Sequence, residues 1–392
     1  MTRQSRLRKL ARSDEGFSLT FVALGFMAFL AVSMLAIDVG MLMTSRNQAQ
    51  NSADASALAG ATALVFDDWN DRTPSGPAVR NALAAAGQNQ VMSGNVAIAP
   101  SDVVFLADPA GNNDRVQSTV YRDAAHRSAL STLVAQYFGI ATVDVNATAT
   151  AEATPANSET CVKPFTIPDK WTENTNPPWD ALTSTYDYYD NKGNVLPNHD
   201  VYIPADQPGY TGYDAMRDRG TMLMIRAGTG NNITPSFYFS WSMPPSTGAA
   251  PVTGAAWYSA NISGCNQTLE HWGDLLTQEP GDMTGPTTQG VQALIDQDPS
   301  AYWDTSTNSV HTSMHPSPRV FPIPLYDPQY YVDGKVNGRN ASLRVANWIG
   351  FFVDHIVGND VYGRITPIQG TIDKNAGPSP NGIFPRAIRL VQ

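Results

Sequence analysis

Cysteine is nearly absent from this 392-residue chain: there are two, Cys161 and Cys265. Two thiols so far apart lack the spacing of a metal site. Charge is scarce as well, at 15% of residues. Of 25 basic and 35 acidic side chains, five and two fall in residues 1–16, which leaves 20 and 33 beyond them, a net charge of −13. Phosphate contacts need a basic surface, so nucleic acid is excluded as a partner. Anionic lipid is likewise a poor docking target for the acidic body, which reads as a solvated, soluble surface.

Catalytic signatures are missing too. There is no G-x-S-x-G elbow, Walker loop, G-x-G-x-x-G after a strand, or S-x-x-K. The string GTGNN (228–232) reads as a loop. His311 and His315 have HxxxH spacing, but Thr312 stands where a metalloprotease carries its glutamate base, and Pro316 follows the second histidine. A loop is expected there, with no metal. Asp67-Asp68 sits in a charged, loop-like stretch, where a general acid and base would need placement that sequence does not supply. No cofactor and no small-molecule substrate are implied, and the expectation is a protein that is not an enzyme.

What is present begins with one unbroken uncharged run, Phe17 to Ile37. Its 21 residues would span about 31 Å as a helix, which matches a hydrocarbon core of about 30 Å. A cleaved signal peptide has a shorter core and a small-residue cleavage site close behind it. Arg3, Arg6, Arg8, Lys9 and Arg12 precede the run, whereas Arg46 alone is basic soon after it. The positive-inside rule then puts the N-terminus in the cytoplasm and the body outside, in the periplasm of a two-membrane cell. Thiols there tend to be oxidised, so Cys161 and Cys265 are expected to pair, with two unpaired buried thiols as the alternative.

The helix is expected to continue past the membrane. Between Asp38 and Leu64 there is no proline, and Leu42, Ala49, Ala53, Ser56, Gly60 and Leu64 recur at helical spacing. Most of these side chains are small, so the stripe Ala49, Ala53, Ser56, Gly60 allows close packing, on the protein's own sheet or on a partner helix. Further on, Ala78–Ala86 reads as a short helix ended at Gly87, and Val103–Leu106 as a strand. Val116, Ser118 and Val120 alternate as a half-buried strand, and Val143–Ala151 alternate most cleanly of all. Between them a helix is predicted from Asp123, with Leu130, Leu133, Val134, Tyr137 and Phe138 on one face, His126 on or near it, and Gly139 as its stop.

After TPANSET (154–160) the texture changes to frequent proline and glycine with aromatic clusters, which suggests short strands. Core packing is the usual role of such aromatics, and a sugar platform the rarer one. Helices are expected at Thr288–Asp296 and over Leu269–Leu276. A hairpin turn is expected at NKGN (191–194), and a terminal hairpin from Leu343–Val353 through VGND (357–360) to Val361–Ile368.

The words DEGFSL, the apolar run, AIDVG (36–40) and RNQAQNSADASALAGA (46–61) together resemble the TadE/TadG-like proteins of tight-adherence (Flp) pilus systems. The TadG-like subgroup, with a larger exported body, is the nearest likeness. The resemblance implies a membrane-anchored structural component whose partners are other pilus-assembly or minor pilin proteins. Gly16-Phe17 looks like a prepilin processing point, yet Phe21 stands where pilins of that class carry glutamate. A pseudopilin cut after Gly16 therefore stays open as an alternative, as does an envelope carbohydrate-binding protein or enzyme. Some relatives carry a von Willebrand A domain with an Asp-x-Ser-x-Ser metal motif. The nearest string here, Asp304-Thr-Ser306-Thr-Asn308, reads as a turn, so that domain is expected to be lacking.

The expected class is α+β. It comprises a cytoplasmic basic segment (1–16), a transmembrane helix (17–37), its small-residue extension (38–66), a small α+β module (67–155) and a mainly β domain (156–392).

Overall fold

A computed structural model of the chain describes residues 15–109, 111–227, 232–336, 342–378 and 385–391. A single 52-residue helix, α1 (Glu15–Phe66), carries both the apolar run and the small-residue stretch. It is continuous because no proline interrupts it and its glycines are isolated. The chain then falls into two compact units. One holds Met1–Ala61, Asp71–Glu152 and Leu390–Gln392, and the other Thr62–Asn70 and Ala153–Arg389.

In the first unit α2 (Pro77–Gln88) starts with proline at a position where the missing N–H costs nothing. Strand β1 (Val103–Leu106) runs antiparallel to β2 (Arg115–Arg122), with Val103 opposite Ser118. A two-stranded hairpin, β3 (Leu130–Ser131) with β4 (Thr142–Val143), follows. Then β5 (Val145–Pro155) pairs antiparallel with β2, setting Val116 opposite Ala151 and Val120 opposite Ala147. Val116, Ser118, Val120, Ala147, Ala149 and Ala151 are all buried, as their alternation requires.

The helix predicted from Asp123 is not formed. Residues 124–127 make a turn, and after β3 a single 3-10 turn covers Ala135–Phe138, closed by Gly139 at φ +89°. Apolar residues do recur at helical spacing there, but Asp38 takes the backbone N–H groups of Leu133, Val134 and Ala135. The expected apolar face is also split: Leu130 is buried on β3, whereas Leu133, Tyr137 and Phe138 are exposed. His126 is exposed as well, bonded to Asp123 at 2.6 Å and stacked on Tyr121.

The second unit is built on a closed barrel of six strands. Short β6 (Ser158–Glu159) precedes it. The barrel strands are β7 (Phe165–Pro168), β8 (Met222–Ala227), β9 (Phe237–Ser240), β14 (Val320–Tyr326), β15 (Leu343–Val357) and β16 (Asp360–Thr366). Going round, β15 pairs antiparallel with β14, β14 parallel with β7, and β7 antiparallel with β9. Then β9 pairs parallel with β8, β8 antiparallel with β16, and β16 antiparallel with β15, which closes the ring. Closure removes the exposed edges an open sheet would present. Residues of one strand face, such as Phe321, Ile323 and Leu325 or Ile349, Phe351 and Val353, fill one cluster. Helices α3 (Ala255–Ser263) and α4 (Thr284–Gln297) add Tyr258, Ile262, Val291 and Leu294 to it. The two helices approach so closely that a Cβ on Gly290 would stand 2.6 Å from that of Ile262. A second cluster holds Trp171, Tyr186, Trp241, Tyr326 and Trp348, so much of the aromatic content packs the core.

Five smaller readings resolve here. The helix expected over Leu269–Leu276 is replaced by β10 (Glu270–His271) and β11 (Leu275–Leu276). Gly273 at φ +85° breaks any helix there, and the Asp274 carboxylate takes the His271 N–H at 2.8 Å. Thr288–Asp296 lies inside α4, and the terminal hairpin is β15–β16. The NKGN turn is fixed by the Asp190 carboxylate, which accepts the N–H groups of Lys192 and Asn194. The loop GTGNN falls mostly outside the described residues. Asp304–Asn308 links β12 (Tyr302–Asp304) to β13 (Ser309–His311) as a turn, with Asp304 accepting from Ser306. The helix α5 (Pro328–Val336), between β14 and β15, completes the α-helices among the described residues.

Candidate functional site

The first half of α1 is one solvent-facing apolar surface: Leu19, Phe21, Leu24, Phe26, Phe29, Val32, Leu35 and Ile37 are all exposed. It is long and apolar enough to cross a membrane. Gly16 and Phe17 lie in the first turn of the helical backbone.

Asp38 is the first charged residue after that run, and it is buried. Its two carboxylate oxygens accept the N–H groups of Leu133 (2.9 Å), Val134 (3.0 Å) and Ala135 (2.6 Å). Burial pushes this carboxyl up, but the three N–H groups outweigh it and hold it below the ordinary range. The contact ties α1, at the point where its apolar half ends, to the β3–β4 hairpin. Asp38 stood out in the sequence only as part of the AIDVG word. A lone carboxylate straight after an uncharged run is the signal that marks it.

The small-residue stripe lies about three to six turns further along. Ala49, Ala53, Ser56 and Gly60 are buried, as are Ser52 and Ala57 between them. Ser56 Oγ lies 2.6 Å from Ser118 Oγ of β2 and 2.9 Å from the Ala82 carbonyl of α2. Ser52 Oγ donates to the Ala86 carbonyl at 3.3 Å. A Cβ on Gly60 would meet Val116 Cγ1 at 2.8 Å. The stripe thus packs on α2 and β2 of its own unit. Arg46 and Asp54 lie off this face, and Gln50 bridges to Asp54 at 2.8 Å.

In the second unit Cys161 and Cys265 form a disulfide across 104 residues. The same unit holds unusual buried ionisable groups. Glu159 and Glu270 sit directly opposite on β6 and β10, both buried. Burial pushes each carboxyl up to about 8, with the Thr160 N–H opposing at Glu159 and the Asp274 charge adding at Glu270. Burial also pushes the Lys163 ammonium down to about 7, where it donates to the Gly264 carbonyl. Asp169 is raised to about 6 by burial, although it accepts from Tyr213 N–H, Tyr210 Oη and Tyr202 Oη. A cavity of about 280 Å³ is lined by Leu64, Trp69, Met216, Trp348 and Ile368, together with Asp214 and Arg386. Arg386 stacks 3.6 Å over the Trp69 ring, and Asp214 is engaged by the N–H groups of Met216 and Arg217. None of the four perturbed groups lines this cavity. Its chemistry is that of an apolar recess, without a paired acid and base. His311 stacks on Tyr302, and His315 precedes Pro316 in a cis bond. No cluster of three or more potential metal ligands occurs among the described residues.

Residues 16–63 match a family model, Tad, described as Flp pilus-assembly TadE/G-like. The match takes in the apolar run, Asp38 and the whole stripe, and ends within α1. No curated protein and no solved structure matches the chain.

Proposed function

We propose that this protein is a membrane-anchored structural component of a Flp/Tad-type pilus assembly or secretion apparatus, of TadG-like type without a von Willebrand A domain. Residues 17–37 cross the inner membrane once. The basic N-terminus stays in the cytoplasm, and the acidic body, with its disulfide, stands in the periplasm. The protein acts by binding other assembly or minor pilin proteins, not by catalysis, and it uses no cofactor. The observation that carries this reading is the coincidence of the Tad match with one physical device. The matched segment is the anchor, the Asp38 clamp and the small-residue face that seats the first unit on the helix.

The stripe packs within its own unit, which supports a partner surface elsewhere on the body. Deleting the gene in the native bacterium tests the reading: pili and surface attachment should be lost and return on complementation. Normal piliation in the deletion strain would end it. A pseudopilin cut after Gly16 is the second reading, supported by Gly16 lying in the first turn of α1 and opening the matched segment. Mass spectrometry decides it, since a mature end at Phe17 supports cleavage and an intact Met1 or Thr2 rejects it.

A further inference from the structure

The hairpin loop over residues 132–141 is the most apolar exposed surface of the first unit outside the helix. From Ser128 to Val143 it carries no charged side chain. Tyr137 is 82% exposed, Phe138 74%, Leu133 56% and Ile140 54%. Contiguous exposure of large apolar groups marks an interaction site. What identifies the partner is where the loop is held. Asp38, one residue beyond the apolar run, binds three successive N–H groups of this loop. One residue of helix is about 1.5 Å, and the interfacial zone extends several ångströms beyond the hydrocarbon core. The loop is therefore fixed at the level where the span leaves the bilayer.

Two further observations agree. Leu30 and Met34 precede Asp38 at four-residue steps, and at 36% and 39% they are the least exposed large side chains of the span. The helix face leading down from Asp38 into the bilayer is thus the less exposed one among the described residues of the span. An apolar cavity of about 130 Å³ also lies between Val39 and Leu42 of α1 and Ile140 and Val143 of the hairpin.

We propose that residues 132–141 form a second membrane contact, an uncharged loop that rests in the lipid interface beside the span, with Tyr137 and Phe138 as its aromatic anchors. Tyrosine at this depth has an apolar ring and a polar tip, which suits the boundary between headgroups and acyl chains. The contact is apolar and needs no basic residues, so it is compatible with an acidic body. Its consequence is orientation: a helix alone leaves the body free to rotate and tilt, whereas a second contact fixes which face of the first unit is turned to the membrane.

The proposal rests on residues 17–37 spanning a bilayer, and one experiment separates the two. The intact chain is reconstituted at high lipid dilution into vesicles of phosphatidylethanolamine and phosphatidylglycerol, then oxidised briefly by hydroxyl radicals. In the chain itself Tyr137 is more exposed than Tyr302, at 82% against 50%. In vesicles the order should invert, with Tyr137 and Phe138 oxidised at least about twofold more slowly than Tyr302, because lipid excludes the radical from interfacial side chains. Phe29 should be protected outright. If Phe29 is protected while Tyr137 and Phe138 oxidise as fast as Tyr302, the span stands and the second contact is refuted. Free oxidation of Phe29 would remove the span, and the proposal with it. Protection of Tyr137 in native membranes but not in these vesicles would assign the loop to a protein partner and also overturn the proposal.

Discussion

Replacing Gly60 by alanine tests the way α1 seats the first unit. In an open helix interior this change stabilises by about 0.8–1 kcal/mol, because glycine loses more backbone freedom on folding. At Gly60 the added methyl would stand 2.8 Å from Val116 Cγ1, 3.4 Å from the Ala78 carbonyl and 3.5 Å from Ala82 Cβ. Val116 is fully buried and β-branched, so its side chain has no free rotamer to step into, and β2 itself must shift. Overpacking of this kind costs about 1–3 kcal/mol, which leaves a net loss of roughly 0–2 kcal/mol. Gly87 in α2 is the control, since a Cβ there meets nothing within 4 Å and Gly87→Ala should gain up to about 1 kcal/mol. The same chemical change thus has opposite signs at the two positions. Hydrogen exchange of the full chain in detergent reads it out over Ala78–Ala86 and Val116–Val120. The difference between the variants is the overpacking term, about 5- to 150-fold in the local opening constant. Equal slowing of exchange by both variants would refute the packing and free the stripe for a partner helix.

Three other outcomes follow from the same structure. The carboxyls of Glu159 and Glu270 are raised to about 8 and that of Asp169 to about 6, so their protonated forms favour the fold. Each contribution is complete below the ordinary carboxylate range and is lost as pH rises towards the folded value, by about 1.4 kcal/mol per pH unit per group. Lys163, lowered to about 7, adds stability only as pH rises above 7. The melting temperature of the barrel unit should therefore fall from pH 5 to 7, and Glu159→Gln with Glu270→Gln should flatten the slope; a rising profile in the parent chain would contradict the burial. Removing the disulfide by Cys161→Ser with Cys265→Ser releases a loop of 104 residues and should cost about 2–5 kcal/mol in denaturant titration; alkylation of both cysteines without reductant would show that they are unpaired. Asp38→Asn should speed exchange at the amides of Leu133, Val134 and Ala135 while leaving those of β5 unchanged; unchanged exchange at all of them would deny the clamp.

Local pattern made some of this molecule legible and non-local pairing hid the rest. The long helix could be read because an uncharged run and a small-residue stripe share one uninterrupted period. Strands β2 and β5 could be read because Val116–Val120 and Val145–Ala151 alternate. Beyond its β15–β16 hairpin the barrel could not: β7 and β14 pair in parallel although about 150 residues separate them, and four-residue strands such as β7 leave no period to count. The Asp123–Phe138 segment misled because Leu130, Leu133, Val134, Tyr137 and Phe138 have helical spacing whether or not a helix forms. The group that decides the matter, the Asp38 carboxylate, lies 95 residues away from Leu133. Of the residues that periodicity assigned to the interior, Leu133, Tyr137 and Phe138 are left exposed beside Asp38.

The central claim is that the helix holds the body at the membrane for pilus assembly. Complementing a deletion strain with two forms of the chain tests it most directly. One form is intact, and in the other residues 1–37 are replaced by a cleavable signal peptide, so that the same body is released into the periplasm. The account predicts surface pili with the intact chain and none with the released body at equal abundance. Full piliation by the released body would contradict it.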